Sequence, residues 1–302
     1  MSKARELSDY TGLQGDITAG DTAARAGRKN LLLNGSMQIS QRGDYTSATA
    51  ISDGTYYLDR WELDIATVTG TVQDVSNGYL SKLNTQKIAA TSTATGRLVS
   101  IQKIEVSGGM LGAELTASAQ VKSNSTDARL FLVDNTNGTV LDVVAHTGGG
   151  AFEKLTISGT APTSCTDLRV YLALRGSAQG NVAITSGDYF EFTNVQLELG
   201  SVATDFEHRS YGEELALCQR YYNTSGIVLS TGTPYRYHNQ INLPVEMRAS
   251  PSITTAAVDS GSGGAIVPTW DRENNNSSSK VFYQGANHSS VSSGRFTFDA
   301  EL

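Results

Sequence analysis

The stretch Glu114-Leu-Thr-Ala-Ser-Ala-Gln-Val-Lys122 decides the fold class. Leu115, Ala117, Ala119 and Val121 occupy every second position, with Thr116, Ser118, Gln120 and Lys122 between them. A period of two places the apolar set on one face of an extended chain and the polar set on the other, the pattern of a half-buried antiparallel strand. Leu168, Val170, Leu172 and Leu174 repeat it, leaving Arg169, Tyr171 and Ala173 for the opposite face. Outward from these two stretches, strands are expected at Leu31–Ile39, Trp61–Thr67, Leu98–Glu105, Leu130–Asp134, Val140–Ala145, Phe152–Ser158 and Tyr189–Leu199, separated by Gly, Asn, Ser and Asp clusters. Within Tyr189–Leu199, Phe190 and Phe192 hold one phase while Val195, Leu197 and Leu199 hold the other. An extra residue near Thr193 and Asn194 reconciles them, so a β-bulge is predicted there. About ten short strands across residues 30–209 predict a jelly-roll β-sandwich.

Ser210 followed by Glu213 has capping-box spacing, and Leu215, Cys218 and Tyr222 recur at helical offsets with Leu217 and Tyr221 beside them. This predicts a connecting helix of about three turns, stopped by Asn223, Ser225 and Gly226, whose apolar stripe lies on a neighbouring surface or on copies of itself. Beyond it, strands are expected at Ile227–Leu229, Tyr235–Leu243, Ser252–Ala256, Ala265–Val267, Val281–Tyr283 and Arg295–Leu302. With the helix they make residues 210–302 a second, small β-sandwich domain, the last strand alternating through Phe296, Phe298, Ala300 and Leu302. Residues 1–29 carry scattered charge and few large apolar side chains, and are expected to form an extended arm that orders against a partner. The whole chain is therefore expected to be mainly β.

Gly, Ser and Thr make up 95 of the 302 residues, against 18% charged, a balance that disfavours helical bundles and coiled coils. A net charge of −7 without any basic run repels phosphate backbones, which excludes a general nucleic-acid binder. No apolar run has bilayer-spanning length, and Met1 to Asn30 lacks the apolar core of a secretory signal, so synthesis in a cytosol without membrane insertion is expected. Cys165 and Cys218 lack metal-type spacing, and isolated thiols are expected rather than a disulfide. The glycine run Gly261–Gly264 leads into a strand pattern rather than a helix, so no nucleotide cofactor is expected. His146, His208, His238 and His288 are too dispersed for a zinc site. Asp205 with Glu207 and Glu213 with Glu214 are carboxylate pairs, but the first precedes the helix and the second sits in its first turn, where the macrodipole favours negative charge. No nucleophile elbow occurs. Neither a metal nor a catalytic residue is expected, and the chain reads as a non-enzyme.

Aromatic clusters offer a route to binding, since a sugar packs its C–H face on a ring while polar neighbours bond its hydroxyls. One cluster is Tyr57 with Tyr56, Asp59, Arg60 and Trp61; the other is Tyr235, Tyr237, His238 and Asn239 with Trp270, Asp271 and Arg272. The glycan-binding candidates are Tyr235, Tyr237, His238, Trp270 and Tyr57. Against this stands a structural reading, in which Trp61 anchors a core and the tyrosines cover sheet edges.

Several segments carry a resemblance. Asn30-Leu-Leu-Leu-Asn-Gly35, Ser40-Gln-Arg-Gly43 and Leu58-Asp-Arg-Trp61 are similar to the opening of carbohydrate-binding-module-like domains in bacteriophage tail fibres and related appendage proteins. Val195-Gln-Leu-Glu-Leu-Gly200, Ala203-Thr-Asp-Phe-Glu-His-Arg209, Tyr211-Gly-Glu-Glu-Leu215 and Cys218-Gln-Arg-Tyr-Tyr222 resemble the closing part of the same domains. Leu243-Pro-Val-Glu-Met-Arg248 and Asp299-Ala-Glu-Leu302 look like the small domain that follows. The resemblance implies a jelly roll whose first strand, opened by Asn30 to Gly35, lies near its last, Val195 to Leu199. It also implies a virion protein that forms homotrimers, attaches to other virion proteins through the arm and contacts host cell-surface glycan. Related modules hold a structural calcium with an acidic residue after the Asn-Gly pair; here Ser36-Met37-Gln38 supplies none, so no calcium is expected. A purely architectural decoration, knob or adaptor protein is the alternative, and a depolymerase is disfavoured because no internal repeat is present.

Overall fold

The computed structural model describes residues 29–80, 83–229, 238–260, 266–270, 280–285 and 292–302, so the expected arm lies, except for Lys29, outside the described residues. In chain order the first strands are β1 (Thr49–Ala50), β2 (Tyr56–Leu58), β3 (Trp61–Ala66), β4 (Gly70–Tyr79), β5 (Leu83–Ala90), β6 (Ala94–Ile104) and β7 (Glu114–Ser123). There follow β8 (Ala128–Asp134), β9 (Thr139–Ala145), β10 (Phe152–Thr160), β11 (Leu168–Leu174), β12 (Val182–Ile184) and β13 (Tyr189–Leu199). The helix α1 (Tyr211–Gln219) then precedes β14 (Tyr222–Leu229), β15 (His238–Asn242), β16 (Ser252–Ser260), β17 (Ile266–Trp270), β18 (Lys280–Gly285) and β19 (Ser292–Asp299). The chain divides into two compact units. Unit 1 holds the residues up to Gln38, Gly43–Tyr57 and Trp61–His208; unit 2 holds Ile39–Arg42, Leu58–Arg60 and Arg209–Leu302.

Unit 1 is a β-sandwich of two antiparallel sheets, with strand orders β1-β4-β5-β13-β7-β10 and β2-β3-β6-β11-β8-β9, β12 pairing with β6. The inner faces meet where Trp61 on β3 packs on Phe192 of β13, ring centroids 5.6 Å apart. On β7 the apolar set Leu115, Ala117, Ala119 and Val121 is buried in the core as expected, while Thr116 and Ser118 of the polar set are buried too. The predicted bulge is present, as a register shift between Thr193 and Gln196 against β7, with Asn194 at φ +52°.

The expected strand Leu31–Ile39 does not form. Asn34 and Met37 take positive φ, which folds the segment into successive bends while Leu32, Met37 and Ile39 still bury. Its Asn30 side chain replaces a ladder: Nδ2 donates to Val195 O at 3.0 Å, and Oδ1 accepts from Leu32 N at 3.0 Å and Leu197 N at 3.1 Å. Leu31 N donates to Leu197 O and Val195 N to Gly35 O, so the opening segment lies against the last strand of the sandwich as the resemblance implied. A Cβ on Gly35 would stand 2.1 Å from Val195 O, which is why this position requires glycine.

One further difference concerns burial and another the strands themselves. Tyr171 and Ala173, assigned by alternation to a polar face, are buried with Val99, Ile101, Phe131 and Val133 in a second apolar cluster, so this sheet is buried on both faces. Strands β4 and β5 were not anticipated, because Thr, Gln, Asp and Asn fill the positions at which a period-two apolar signal would appear.

Unit 2 contains α1 and two three-stranded antiparallel sheets, β14-β19-β16 and β15-β18-β17. Leu243, Met247, Phe296, Phe298 and Ala300 form a core. Ser210 caps α1 by accepting from Glu213 N at 3.3 Å, as its spacing predicted. The helix stops at Gln219, earlier than expected, and Asn223, Ser225 and Gly226 belong to β14. Its buried residues are Glu214, which pairs with Arg209 at 3.3 Å, and the free thiol Cys218. Cys165 is also a buried free thiol.

The short segments that unit 2 takes from the first part of the chain build a buried ionic knot. Arg42 reaches Asp299 and Glu301, both at 3.0 Å, and its guanidinium lies 3.8 Å from the centroid of the Tyr222 ring. Arg60 pairs with the other Glu301 oxygen and stacks 3.7 Å over Tyr221. Arg248 donates to Ala300 O and Glu301 O. Arg60 has φ +73°, a conformation costing about 1–2 kcal/mol for a residue with a Cβ. Its ion pair and ring contact offset that strain.

Asn30→Ala should lower the unfolding free energy of unit 1 by roughly 3 kcal/mol, read from urea denaturation, because three buried backbone groups lose their partners. In the knot, burial pushes the Asp59 carboxyl up from its ordinary 3.8 to about 7, against the opposing pull of Gln41 and Arg42. An Asp ionised in the unfolded chain but protonated when folded withdraws stability as pH rises through that window. The melting temperature should therefore fall between about pH 4 and pH 7. Asp59→Asn should flatten that fall, and an unchanged slope in the variant contradicts the assignment.

Candidate ligand cleft on the outer face of the first sheet

The alternation that sends Ala119 inwards sends Ser118 and Gln120 to the outer face of the first sheet, where they floor a cleft of about 350 Å³. Beside them on β13 sits Asn194, the residue displaced by the bulge. Its Oδ1 is buried and accepts no hydrogen bond within the protein, and the same holds for the hydroxyl of neighbouring Thr193. Both atoms are enclosed by protein, each with under 1 Å² of accessible surface, so neither meets a ligand in the cleft.

One wall is the end of the β4–β5 hairpin, with Tyr79 paired to Leu83 across the strands. Leu80, at φ +51° and 71% exposed, stands at its rim. Tyr79 is held edge-on by Phe152, centroids 4.9 Å apart. The other wall is the segment after β13. Glu198 accepts from Thr204 N, while Gln196 donates to Asp205 O at 3.3 Å and accepts from Glu207 N at 2.8 Å. Glu207 in turn accepts from Asn30 N at 2.8 Å. These bonds fix Phe206 and His208, which meet edge to face at 5.0 Å. Lys154 closes the β10 side, donating to Thr204 O at 3.3 Å.

The arrangement presents aromatic rings, amides and an ammonium to a ligand. Asp205 is the one carboxylate among the described lining residues. Among the described residues no group of three or more His, Cys, Asp or Glu side chains is placed to hold a metal ion. Among them, too, no helix is long and apolar enough to cross a membrane.

The aromatic residues singled out from sequence fall elsewhere. Tyr57 is 2% exposed, its hydroxyl bonded to Ser100 at 2.8 Å and its ring packed on Tyr45. It is a core residue and offers no face to a sugar, which corrects the expectation placed on it. Trp61 is likewise buried, its Nε1 donating to Asn34 O. Tyr235 and Tyr237 lie outside the described residues. His238 opens β15 opposite Gln284, and Trp270 closes β17 opposite Val281, both on strands that flank β18. Sequence reasoning did not single out Tyr79 or Phe206 as ring contacts. The phase break at Thr193 and Asn194 touched the cleft, as did the polar alternation at Ser118 and Gln120 and two residues set aside from sequence, Asp205 and His208.

No family model matches the chain, and no curated protein does. Solved structures align with the chain over little more than half its length. The enzymatically active domain of bacteriophage CBA120 tailspike protein 4 aligns at 15% identity and a TM-score of 0.37, over 57% of this chain and 21% of that one. The module TmCBM61, in complex with β-1,4-galactotriose, aligns at 10% identity and 0.34, over 57% of this chain and 100% of that one. The family 11 carbohydrate-binding module of the cellulase Lic26A-Cel5E of Clostridium thermocellum aligns at 13% and 0.33, over 53% and 98%.

Truncating the two kinds of aromatic should separate them by stability alone. Tyr57→Ala should cost about 4 kcal/mol by emptying a core site. Phe206→Ala, on the cleft wall, should cost under about 1 kcal/mol in the same denaturation series.

Proposed function

We propose that the chain is a non-enzymatic subunit of a virion appendage, a tail fibre or similar protein, and that the cleft of unit 1 holds a glycan of the host surface. The observation that carries this reading is the cleft of about 350 Å³ floored by Ser118 and Gln120 between the walls that bear Tyr79 and Phe206. A sugar matches floor and walls, since its C–H faces pack on rings and its hydroxyls bond to hydroxyl and amide side chains such as those of Ser118 and Gln120. The resemblance of the Asn30–Gly35 and Val195–Tyr222 segments to tail-fibre domains supports the same reading. On it the protein is made in the host cytoplasm and assembled into the particle, with residues 1–29 as the attachment arm. A homotrimer would repeat the cleft and turn a weak single contact into an avid one. Tyr235, Tyr237, His238 and Trp270 would supply a further contact from unit 2.

A second reading has one observation in its favour. Leu199 and Val202, 56% and 72% exposed, leave apolar surface next to each other in the chain, as in a subunit that only packs against neighbours. This is the architectural alternative.

A glycan array probed with the full chain should show saturable binding that Tyr79→Ala and Phe206→Ala each weaken at least about tenfold, a loss within the reach of one removed ring contact. Tyr237→Ala and Trp270→Ala report on unit 2 in the same assay. A silent array, with the chain present in purified particles, supports the architectural reading instead.

A further inference from the structure

The outer face of the second sheet holds a group of charges that plays no part in the cleft. The middle of that face is the second apolar cluster, in which Val99 and Tyr171 are buried. The register that places Ala173 opposite both Val99 and Arg129 also brings Arg97 and, one residue beyond Leu174, Arg175 to the same end of the face. Like charges on neighbouring strands destabilise a sheet unless something neutralises them. At the other end Arg169 is registered opposite Lys103, and there each base has its own acid, Glu62 at 2.8 Å from Lys103 and Asp167 at 2.5 Å from Arg169. At the arginine end the acids fall short. Asp64 accepts from Arg97 Nε at 2.8 Å and lies 3.5 Å from Arg175 Nη1, so one carboxylate serves two guanidiniums. Arg129 Nη1 donates to Asp127 Oδ1 at 2.8 Å and to Arg175 O. Three arginines therefore share two aspartates, a surplus of one positive charge in a chain of net charge −7. Asp53 also acts on Arg97, but it is exposed to solvent and forms no ion pair with it.

The surplus charge comes with unused donors. Arg175 uses Nε on Gln179 O at 2.7 Å and Nη1 on Asp64, and its Nη2 has no acceptor among the described residues. Arg129 likewise leaves Nε and Nη2 without one. None of these nitrogens is enclosed by protein, and the two side chains are 13% and 17% exposed. Burial lowers the pKa of Arg175; Asp64 opposes that fall and Arg97 adds to it. We infer that this end of the face binds a singly charged oxyanion of an acidic polysaccharide, a uronate carboxylate or a phosphodiester. Guanidinium forks match both groups through paired hydrogen bonds from N–H to oxygen. One such group cancels the surplus, whereas a nucleic-acid backbone brings a phosphate at every step to a chain whose net charge repels it. The site lies on the other sheet from the cleft and does not depend on the glycan reading of the cleft.

Charged probes and their neutral counterparts test this. Titration calorimetry on the full chain at low ionic strength would compare an α-1,4-linked galacturonate tetramer with its methyl ester, and glycerol phosphate teichoic acid with neutral dextran. At least one acidic probe should bind about tenfold tighter than its counterpart, the worth of one charge-assisted hydrogen bond, and the arm in which this occurs identifies the oxyanion. The preference should fade as added salt screens the site. Arg175→Gln and Arg129→Gln should each weaken that acidic probe about tenfold. Asp64→Asn should instead tighten it, because both guanidiniums lose a competing carboxylate. An ion-pair network that only covers the apolar cluster predicts lower melting temperatures for all three variants and no such change of sign in binding. Equal binding of acidic and neutral probes in both arms, or silence of both acidic probes, overturns the inference. So does binding that survives both arginine variants, or an Asp64→Asn variant that melts as the parent does yet binds no tighter. The Tyr79 and Phe206 results on the array are untouched by these outcomes, so the two readings fail separately.

Discussion

Inserting one residue into β13 changes which side of that strand faces the core, and much of unit 1 is arranged around the change. Before the bulge Phe190 and Phe192 point inwards; after it Val195 and Leu197 do. Without the insertion one of these pairs would face solvent, forfeiting roughly 1.5–3 kcal/mol for each large side chain. The bulge frees the Val195 amide and carbonyl from the ladder, and the opening segment takes both, through Gly35 O and Asn30 Nδ2. It also turns Asn194 outwards at positive φ, into the floor of the cleft. Closure of the sandwich and one lining residue of the candidate site thus have one physical origin.

Unit 2 solves a different problem. Its core is small, and the segments Ile39–Arg42 and Leu58–Arg60 bring charge into it. Burying ions is costly, and the Arg42, Arg60 and Arg248 contacts to Asp299, Glu301 and the backbone around them recover that cost only because each guanidinium is bonded or stacked in a defined geometry. Such a knot specifies one arrangement more than it adds net stability. It also gives physical meaning to motifs that read as unrelated along the chain: Ser40-Gln-Arg-Gly43, Leu58-Asp-Arg-Trp61, Cys218-Gln-Arg-Tyr-Tyr222, Leu243-Pro-Val-Glu-Met-Arg248 and Asp299-Ala-Glu-Leu302 all contribute residues to it.

The elements legible beforehand were those whose burial follows a local period. β7 and β11 alternate over seven or more residues, β13 alternates in two phases on either side of its bulge, and the cap of α1 lies within four. Where polar residues carry a strand, as in β4 and β5, the pattern vanishes: the backbone pairing of β4 with β5, and of β5 with distant β13, leaves no period-two apolar mark. The segment after Asn30 failed for the opposite reason: its apolar residues do bury, but side-chain bonds from Asn30 and positive φ at Asn34 and Met37 replace the strand.

By itself, then, the amino-acid order determined the class of the fold, the place of the bulge and the capped helix, because each of these depends on neighbours within a few positions. Only the tertiary structure decided which aromatics are available to a ligand. Tyr57 and Tyr79 are indistinguishable as residues, yet one lies inside the sandwich against Ser100 and the other stands on the cleft wall. That choice depends on the sheet each strand joins and the face each ring takes, and both are set by pairing across large separations in the chain, where local periodicity carries no information.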